Sequence, residues 1–350
     1  MSILTSYIYK SISLLHMGNK WTSGLCADIF EASRTISYVE TLGSKADTLH
    51  KYISYTDERT LKRAYELQVR GVIKKLGIKD VELGIKDVEL AIDGKQDLYY
   101  GKNGSINVRQ IKPEHGADEA WEFITLSTVY PVRLPLMSIP YQQGDDITKI
   151  CIELLGYARS LPIRIRKVLF DRGFYIWQLI DYLESKNNGK PLPYLIFVPQ
   201  NDAIKEFIDK TEGNFGVFKH SGNYSKEKST WKPSTTIVVC KNAGKNKQGK
   251  HYDMVFATNL KPNWSLVFEY KKRWNIETGF RVMEEGKIKT KSNNPLVRLF
   301  YFLLRCLLTL AWLLNNFIRR HYTYKAYLRN VEYLLRRDEP YKPPPISMVY

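Results

Sequence analysis

Short apolar runs rich in β-branched and aromatic residues punctuate the middle of this chain and predict buried strands. Three of them are Val88–Asp93, Val168–Phe170 and Tyr194–Pro199. The first run ends in Asp93. The second is followed at once by Asp171, a Gly-containing turn and an apolar helix that begins near Tyr175. We therefore expect two strands that each present a carboxylate at the carboxyl end, where sites form in α/β proteins.

Other patterns surround these strands. Apolar spacing predicts an amphipathic helix over Asp145–Ser160 and a strand over Phe123–Arg133, which prolines then break. Gly94 and Gly101 indicate a turn or hairpin directly after Asp93.

The stretch Leu266–Thr290 contains no Pro and predicts one helix of about six turns. Tyr270, Arg273 and Glu277 have spacings of three and four residues and would share one face of that helix. Such a face can be a buried polar site. It can equally be a solvated face with an ordinary i,i+4 ion pair between Arg273 and Glu277.

The segment Leu296–Ile318 is apolar and long enough to cross a membrane. Arg298 and Arg305 lie within it, and an arginine in the middle of a span is costly in lipid. We therefore predict a buried helix that packs under the sheet, and no membrane partner.

Residues 1–75 are predicted to be helical and basic, with helix starts near Asp47 and Thr56. Their cationic face could contact phosphates or could simply be solvated. The heptad GIKDVEL occurs twice in succession, as Gly77–Leu83 and Gly84–Leu90, and we interpret it as a tandem duplication that lengthens the approach to the next strand. Residues 200–260 are rich in Lys, Asn, Gly and Ser, with strand-like runs at Thr235–Cys240 and Met254–Asn259.

The composition indicates which classes of binding partner and metal ligand to expect. The 350 residues include 53 Lys and Arg against 36 Asp and Glu, a net charge of +17, which favours a polyanion such as nucleic acid over a merely basic protein or a membrane-surface binder. The four cysteines form no CxxC pair, which fits neither a zinc site nor a disulfide framework and indicates a reducing, cytoplasmic setting. The six histidines are scattered, so carboxylates are the expected ligands of any metal.

The arrangement Tyr270-x2-Arg273-x3-Glu277 resembles the signature of DDE transposases of the insertion-sequence type, in which Tyr, Arg, Glu and Lys occur in order. The run Asp171–Phe174 resembles the segment around the second Asp of that family, and Asp93 has a setting similar to that of the first. The family's Lys would fall at position 284, where this chain has Glu284; Lys287 is a nearby substitute.

The resemblance implies an α/β fold: an RNase H-like mixed sheet flanked by helices, with a mostly β insertion and an N-terminal helical domain. The predicted segments are a helical DNA-end-binding domain over 1–75, the first part of the catalytic core over 76–199, the β-rich insertion over 200–260, the C-terminal helices of the core over 261–322, and a basic, Pro-containing tail over 323–350.

The resemblance also implies site residues. Asp93, Asp171 and Glu277 would be the catalytic carboxylates and would bind two Mg²⁺ or Mn²⁺ ions, which prefer oxygen ligands. Asp97 is the alternative to Asp93, and either acid could be an ordinary turn residue. Three further residues would contact DNA phosphates, namely Tyr270, Arg273 and Lys287. Trp274 could stack on an unpaired base or lie in the core.

We therefore predict a cut-and-paste DNA transposase. It would cleave double-stranded DNA at the ends of its own mobile element and join the 3′ ends to target DNA, as a homodimer in the DNA complex. Two alternatives stay open: a catalytically impaired, transposase-derived DNA-binding protein, and a metal-dependent nuclease without strand transfer.

Overall fold

The computed structural model describes residues 23–41, 45–78, 87–101, 107–185, 190–226, 229–245, 248–318 and 322–336. The chain divides into two units, one made of Met1–Gly84 with Gly279–Tyr350 and the other of Ile85–Thr278. We call them the helical unit and the sheet unit. Part of the GIKDVEL repeat (79–86) and most of the Pro-containing tail lie outside the described residues. The division into five functional segments stays a prediction.

The described strands are β1 Asp87–Tyr99, β2 Arg109–Glu114, β3 Ala117–Tyr130, β4 Pro135–Tyr141, β5 Arg164–Phe170, β6 Tyr194–Phe197, β7 Phe215–Ser221, β8 Tyr224–Lys226, β9 Ser229–Trp231, β10 Ser234–Lys245 and β11 His251–Thr258. The described α-helices are α1 Ser23–Thr35, α2 Lys45–Ile53, α3 Glu58–Ile78, α4 Ile147–Ser160, α5 Trp177–Glu184, α6 Asp202–Lys210, α7 Leu266–Lys271, α8 Trp274–Glu284, α9 Pro295–Ile318 and α10 Tyr324–Arg336.

Within the described ranges, nine strands form one sheet in the order β2-β3-β1-β5-β6-β11-β10-β7, with β4 also paired to β3. The pairs β1–β5 and β5–β6 are parallel, and the other pairs are antiparallel. The expected mixed sheet flanked by helices is therefore confirmed. Helix α4 packs against β3 and β4, and α7 packs against β6.

The predicted apolar runs form the buried centre of this sheet. Leu90, Ala91 and Ile92 of β1 and Val168–Phe170 of β5 are fully buried, as expected for parallel strands covered on both faces. Helix α4 agrees with its prediction, and Asp146 caps it by accepting a hydrogen bond from the Thr148 N–H.

The predicted end of β1 at Asp93 was wrong. The strand continues through Gly94 to Tyr99 because its antiparallel pairing with β3 continues, from Asp93 opposite Thr125 to Tyr99 opposite Glu119. Gly94 does not mark a turn. A Cβ at this position would lie 2.7 Å from Glu122 Oε1 on the neighbouring strand, so the glycine allows a close approach.

The single helix predicted over Leu266–Thr290 is two helices, α7 and α8, joined at Lys272 and Arg273. At the junction the Arg273 N–H donates to Tyr270 O and the Ile276 N–H donates to Arg273 O. These three-residue spacings are a tight 3₁₀-type turn, which interrupts the α-helix without Gly or Pro. Helix propensity alone could not reveal the break.

The strands predicted at Thr235–Cys240 and Met254–Asn259 lie in β10 and β11, which pair with each other. Strand β11 also pairs with β6, so residues from 200–260 extend the main sheet. Strand β3 ends at Tyr130, directly before Pro131, as expected, whereas Pro135 and Pro140 lie in β4, on the outer side of β3. An edge strand tolerates Pro because fewer of its N–H groups are needed for pairing.

In the helical unit, α9 packs against α2, α3 and α10, and α10 packs against α1. These contacts lie within the helical unit, and the expectation that α9 packs under the sheet stays a prediction. Residues 295–317 are long and apolar enough to cross a membrane, but 72% of the most apolar window is buried inside the fold. The buried helix predicted from its arginines is confirmed.

Candidate active site

Parallel pairing brings the two predicted aspartates to neighbouring strands. Ile92 of β1 lies opposite Phe170 of β5, and this pair ends the β1–β5 ladder. Asp93 is the next residue of β1, and Asp171 is the first residue after β5. Asp171 also accepts a hydrogen bond from the Arg172 N–H at 2.8 Å, so it does cap the short 3₁₀ turn that follows it. Both the turn interpretation and the site interpretation of Asp171 are thus compatible with its position.

Tyr270 links Asp171 to helix α7. The tyrosine is buried, and its ring packs against Phe197 of β6 and Phe256 of β11, with ring centroids 5.4 and 5.3 Å away. Its hydroxyl donates a hydrogen bond to Asp171 Oδ1 at 3.2 Å. Aromatic packing therefore holds α7 on the sheet at the end of β5.

Arg273 joins the other two predicted acids. Its Nη1 donates to Asp93 Oδ2 at 2.8 Å, and its Nη2 donates to Glu277 Oε1 at 2.5 Å. The guanidinium carbon lies 5.7 Å from the centre of the Tyr270 ring. The i,i+4 ion pair expected for a solvated face does exist, but Arg273 is only 5% exposed and the pair extends to a strand acid. We call Asp93, Asp171, Arg273 and Glu277 the acidic cluster.

The electrostatics of the acidic cluster are unbalanced, because three carboxyl groups face one guanidinium. Burial raises the pKa of Asp93 to about 6; Arg273 opposes this shift, while Asp171 and Glu277 add to it. Burial alone would lower the pKa of Arg273, but Tyr270 and the three acids raise it above its ordinary value. Asp93 therefore holds a proton more readily than a free aspartate, chiefly because it is buried.

Oxygen donors and surplus negative charge fit a divalent cation of the Mg²⁺ or Mn²⁺ kind. The distances between the side chains fit an ion less well. In the described part of the chain, no three acidic, His or Cys side chains are grouped closely enough to hold one. The Arg273 guanidinium lies between Asp93 and Glu277 instead. The cluster therefore has oxygen donors of the type that such an ion prefers, with an internal cation bonded to two of its acids.

One polar atom of Arg273 is unused. Its Nε is buried, and no acceptor among the described residues bonds to it. A buried guanidinium N–H without a partner is costly, so this atom indicates an unfilled place for an acceptor.

The remaining predicted residues are placed differently. Trp274, at the start of α8, is 54% exposed, so the alternative that it lies in the core is wrong. Asp97 lies four residues beyond Asp93 on β1, roughly 13 Å along an extended strand, and so outside the acidic cluster. Lys287 belongs to the helical unit, where its Nζ lies 3.7 Å from Glu284 Oε2.

Glu284 has a partner of its own in the helical unit. It accepts a hydrogen bond from Nη1 of Arg305, whose side chain is 2% exposed, at 2.9 Å. The residue that departs from the resembled signature therefore neutralises a buried arginine of α9.

Sequence reasoning missed a second ionic group in the sheet unit. Lys167 and Lys272 both bond to Glu89 and Glu269, with the Lys272 distances at 3.1 and 2.8 Å and the Lys167–Glu89 distance at 3.3 Å. We call these four residues the balanced cluster. The available signal was charge inside apolar strands, since Glu89 interrupts β1 and Lys167 precedes the buried part of β5.

No protein-family model matches the sequence, and no curated protein sequence matches it. A solved structure is similar in fold: a piggyBac transposase synaptic complex with hairpin DNA, with a TM-score of 0.53 and 14% sequence identity. The similarity covers 96% of this chain and 72% of the other. The chain therefore has a transposase-like fold.

Proposed function

We propose that this protein is a DNA transposase that cleaves the ends of a mobile element and joins their 3′ ends to target DNA. The observation that carries the proposal is the acidic cluster. Three acids, one on β1, one directly after β5 and one on α8, are connected through Arg273 and Tyr270 within a transposase-like fold.

DNA is the proposed partner. The net charge of +17 favours a polyanion, and the structure that is similar in fold is a transposase in complex with DNA. A homodimer on DNA and a cytoplasmic location are part of the same proposal.

Asp93, Asp171 and Glu277 are the proposed ligands of two Mg²⁺ or Mn²⁺ ions. Such ions, when bound, activate a water or a 3′-hydroxyl and stabilise the leaving oxygen of a phosphodiester. Arg273 and Tyr270 supply donors for a DNA phosphate, and the unused Arg273 Nε supports this role. Trp274 is exposed beside them and could stack on an unpaired base. Lys287 stays a proposed phosphate contact without a structural argument.

A second candidate is a transposase-derived protein that binds DNA without cutting it. Glu284 favours it, because its ion pair with Arg305 uses the position at which the resembled family has a phosphate-binding lysine. A nuclease that cuts without strand transfer is the third candidate.

Cleavage of supercoiled plasmid by the purified protein, with Mg²⁺ or Mn²⁺, tests the proposal. We expect nicking that requires the ion and that falls about a thousandfold in Asp171→Ala, because a metal ligand supports about 4 kcal/mol of transition-state stabilisation. DNA binding should persist in that variant. Asp202→Ala is the matched control, since the Asp202 side chain is fully exposed on α6.

The outcomes separate the three candidates. Binding without metal-dependent nicking supports the inactive DNA-binding protein. Nicking without joined products, when DNA from the flanks of the gene is supplied with a target plasmid, supports the nuclease. An unchanged nicking rate in Asp171→Ala removes Asp171 from the site.

A further inference from the structure

We infer that Arg273 is an exchangeable counter-ion: it bonds to Asp93 and Glu277 when no metal is present, and it releases both acids when a divalent cation binds. The inference rests on the proposed metal site and adds a competition inside it. It assigns Arg273 two successive partners, first the carboxylates and then a DNA phosphate.

The first argument is occupancy. Arg273 donates to one oxygen of Asp93 and to one oxygen of Glu277, two of the three proposed ligands. A cation on the same carboxylates would lie next to a like charge within a buried environment, where repulsion is weakly screened. Arg273 and the cation are therefore alternatives at these two acids.

The second argument is the unused donor. Arg273 is 5% exposed, and its Nε has no acceptor among the described residues although Nη1 and Nη2 do. A phosphate oxygen near this edge would fill that place and would offer the released Nη groups a bidentate partner. The site thus holds a donor for an anion that the protein itself does not supply.

The third argument is the position of Arg273 in the chain. It lies in the 3₁₀-type turn between α7 and α8, whereas Tyr270 is fixed on the sheet by Phe197 and Phe256. Glu277 is on α8, and 53% of its side chain is exposed. Exchange therefore requires movement of the Arg273 and Glu277 side chains, while the two strand acids stay in place.

This arrangement couples metal to DNA. A DNA phosphate would bind Arg273 in place of the carboxylates, so DNA should raise the affinity of the site for a cation. The cation should raise the affinity for DNA by the same factor.

Mn²⁺ binding, measured by titration calorimetry and by electron paramagnetic resonance without DNA, tests the competition. We expect Arg273→Gln to bind Mn²⁺ at least tenfold more tightly than the natural protein. In EDTA this variant should also melt at a lower temperature, and Mn²⁺ should recover more of the loss than in the natural protein. Arg109→Gln is the matched control, because Arg109 pairs with Glu122 at 2.7 Å in the same sheet but outside the site. Its Mn²⁺ affinity should be unchanged.

Equal or weaker Mn²⁺ binding by Arg273→Gln would overturn the inference and would leave the proposed metal site standing, provided that the natural protein binds Mn²⁺. If neither protein binds Mn²⁺ and no nicking occurs, the proposed function and the inference both fail.

A measurement on the natural protein covers the case in which Arg273→Gln does not fold. A short DNA duplex should raise the Mn²⁺ affinity by about tenfold, measured under conditions in which the DNA is not cut. An Mn²⁺ affinity that is independent of DNA would contradict the exchange.

Discussion

The sheet unit contains two ionic clusters built from the same elements but with different charge balance. Both use β1, the β5 strand or the residue after it, and the α7–α8 segment. In the balanced cluster two lysines neutralise two glutamates, whereas in the acidic cluster one arginine faces three acids.

The pKa shifts follow this difference. Burial would raise the pKa of Glu269, but Lys167 and Lys272 lower it below its ordinary value. Burial would likewise lower the pKa of Lys272, but Glu269 and Glu89 raise it. Asp93 shows the opposite outcome, since burial and its acidic neighbours outweigh Arg273. Glu269 and Lys272 of the balanced cluster thus favour their charged forms, whereas Asp93 of the acidic cluster favours its neutral form. We therefore expect the balanced cluster to contribute to stability, while the acidic cluster belongs to the proposed metal site.

Glu89→Ala should have the largest effect on stability. Glu89 is 2% exposed, and its loss leaves Lys167 and Lys272 facing Glu269 alone. Breaking such a buried group costs about 3 to 5 kcal/mol in the free energy of unfolding, measured by urea denaturation. Glu206→Ala, which breaks an exposed i,i+4 pair with Lys210, is the control and should leave the free energy of unfolding almost unchanged. Equal losses of unfolding free energy in the two variants would show that the balanced cluster contributes no more than an exposed ion pair.

Asp93→Asn should change how stability depends on pH in EDTA. The folded-state pKa of about 6 exceeds the ordinary 3.8, so the folded protein binds this proton more tightly than the unfolded chain. The natural protein should therefore lose stability relative to Asp93→Asn as pH rises from about 4 to about 6. The full difference is about 3 kcal/mol. Unfolding curves measured across this range check it, and a constant difference between the two proteins would contradict it.

Glu284→Lys tests a simpler arrangement, one acid with one buried arginine in the helical unit. The substitution places a like charge beside Arg305, and we expect a loss of about 2 kcal/mol in the free energy of unfolding. Although it restores the lysine of the resembled signature, it should not raise plasmid nicking. Glu285→Gln, at the next position, is the control for stability. Faster nicking at unchanged stability would show that Glu284 has no structural role.

Lys272→Ala should have the smallest effect, about 1 kcal/mol, because its side chain is 31% exposed and Lys167 stays to neutralise both glutamates. The loss should shrink further in 1 M NaCl, where exposed charges are screened. A loss as large as that of Glu89→Ala would mean that Lys272 is the central member of the balanced cluster.

The buried strands, and the positions of Asp93 and Asp171 directly after apolar runs, could be predicted from the sequence because hydrophobic patterning reflects burial directly. The extent of β1 was not predictable, since pairing with β3 decided it and Gly94 resembled a turn residue. The interruption of the predicted helix at Arg273 was also not predictable, because residues with good helix propensity form the 3₁₀ turn. The ionic partners of Glu89 and Glu284 come from distant segments, which no local pattern specifies.

The long antiparallel arm of β1 has a consequence for the duplicated heptad. Both copies contain Asp-Val-Glu-Leu, so either could be threaded into the start of the strand, but the first copy would put Gly84, Ile85 and Lys86 where Ala91, Ile92 and Asp93 belong. A cation would then stand in the place of the acid. The same shift would put Asp87 in the place of Gly94, where a Cβ would lie 2.7 Å from Glu122 Oε1 and a second carboxylate would face that glutamate, so close packing against β3 favours the register that keeps Asp93.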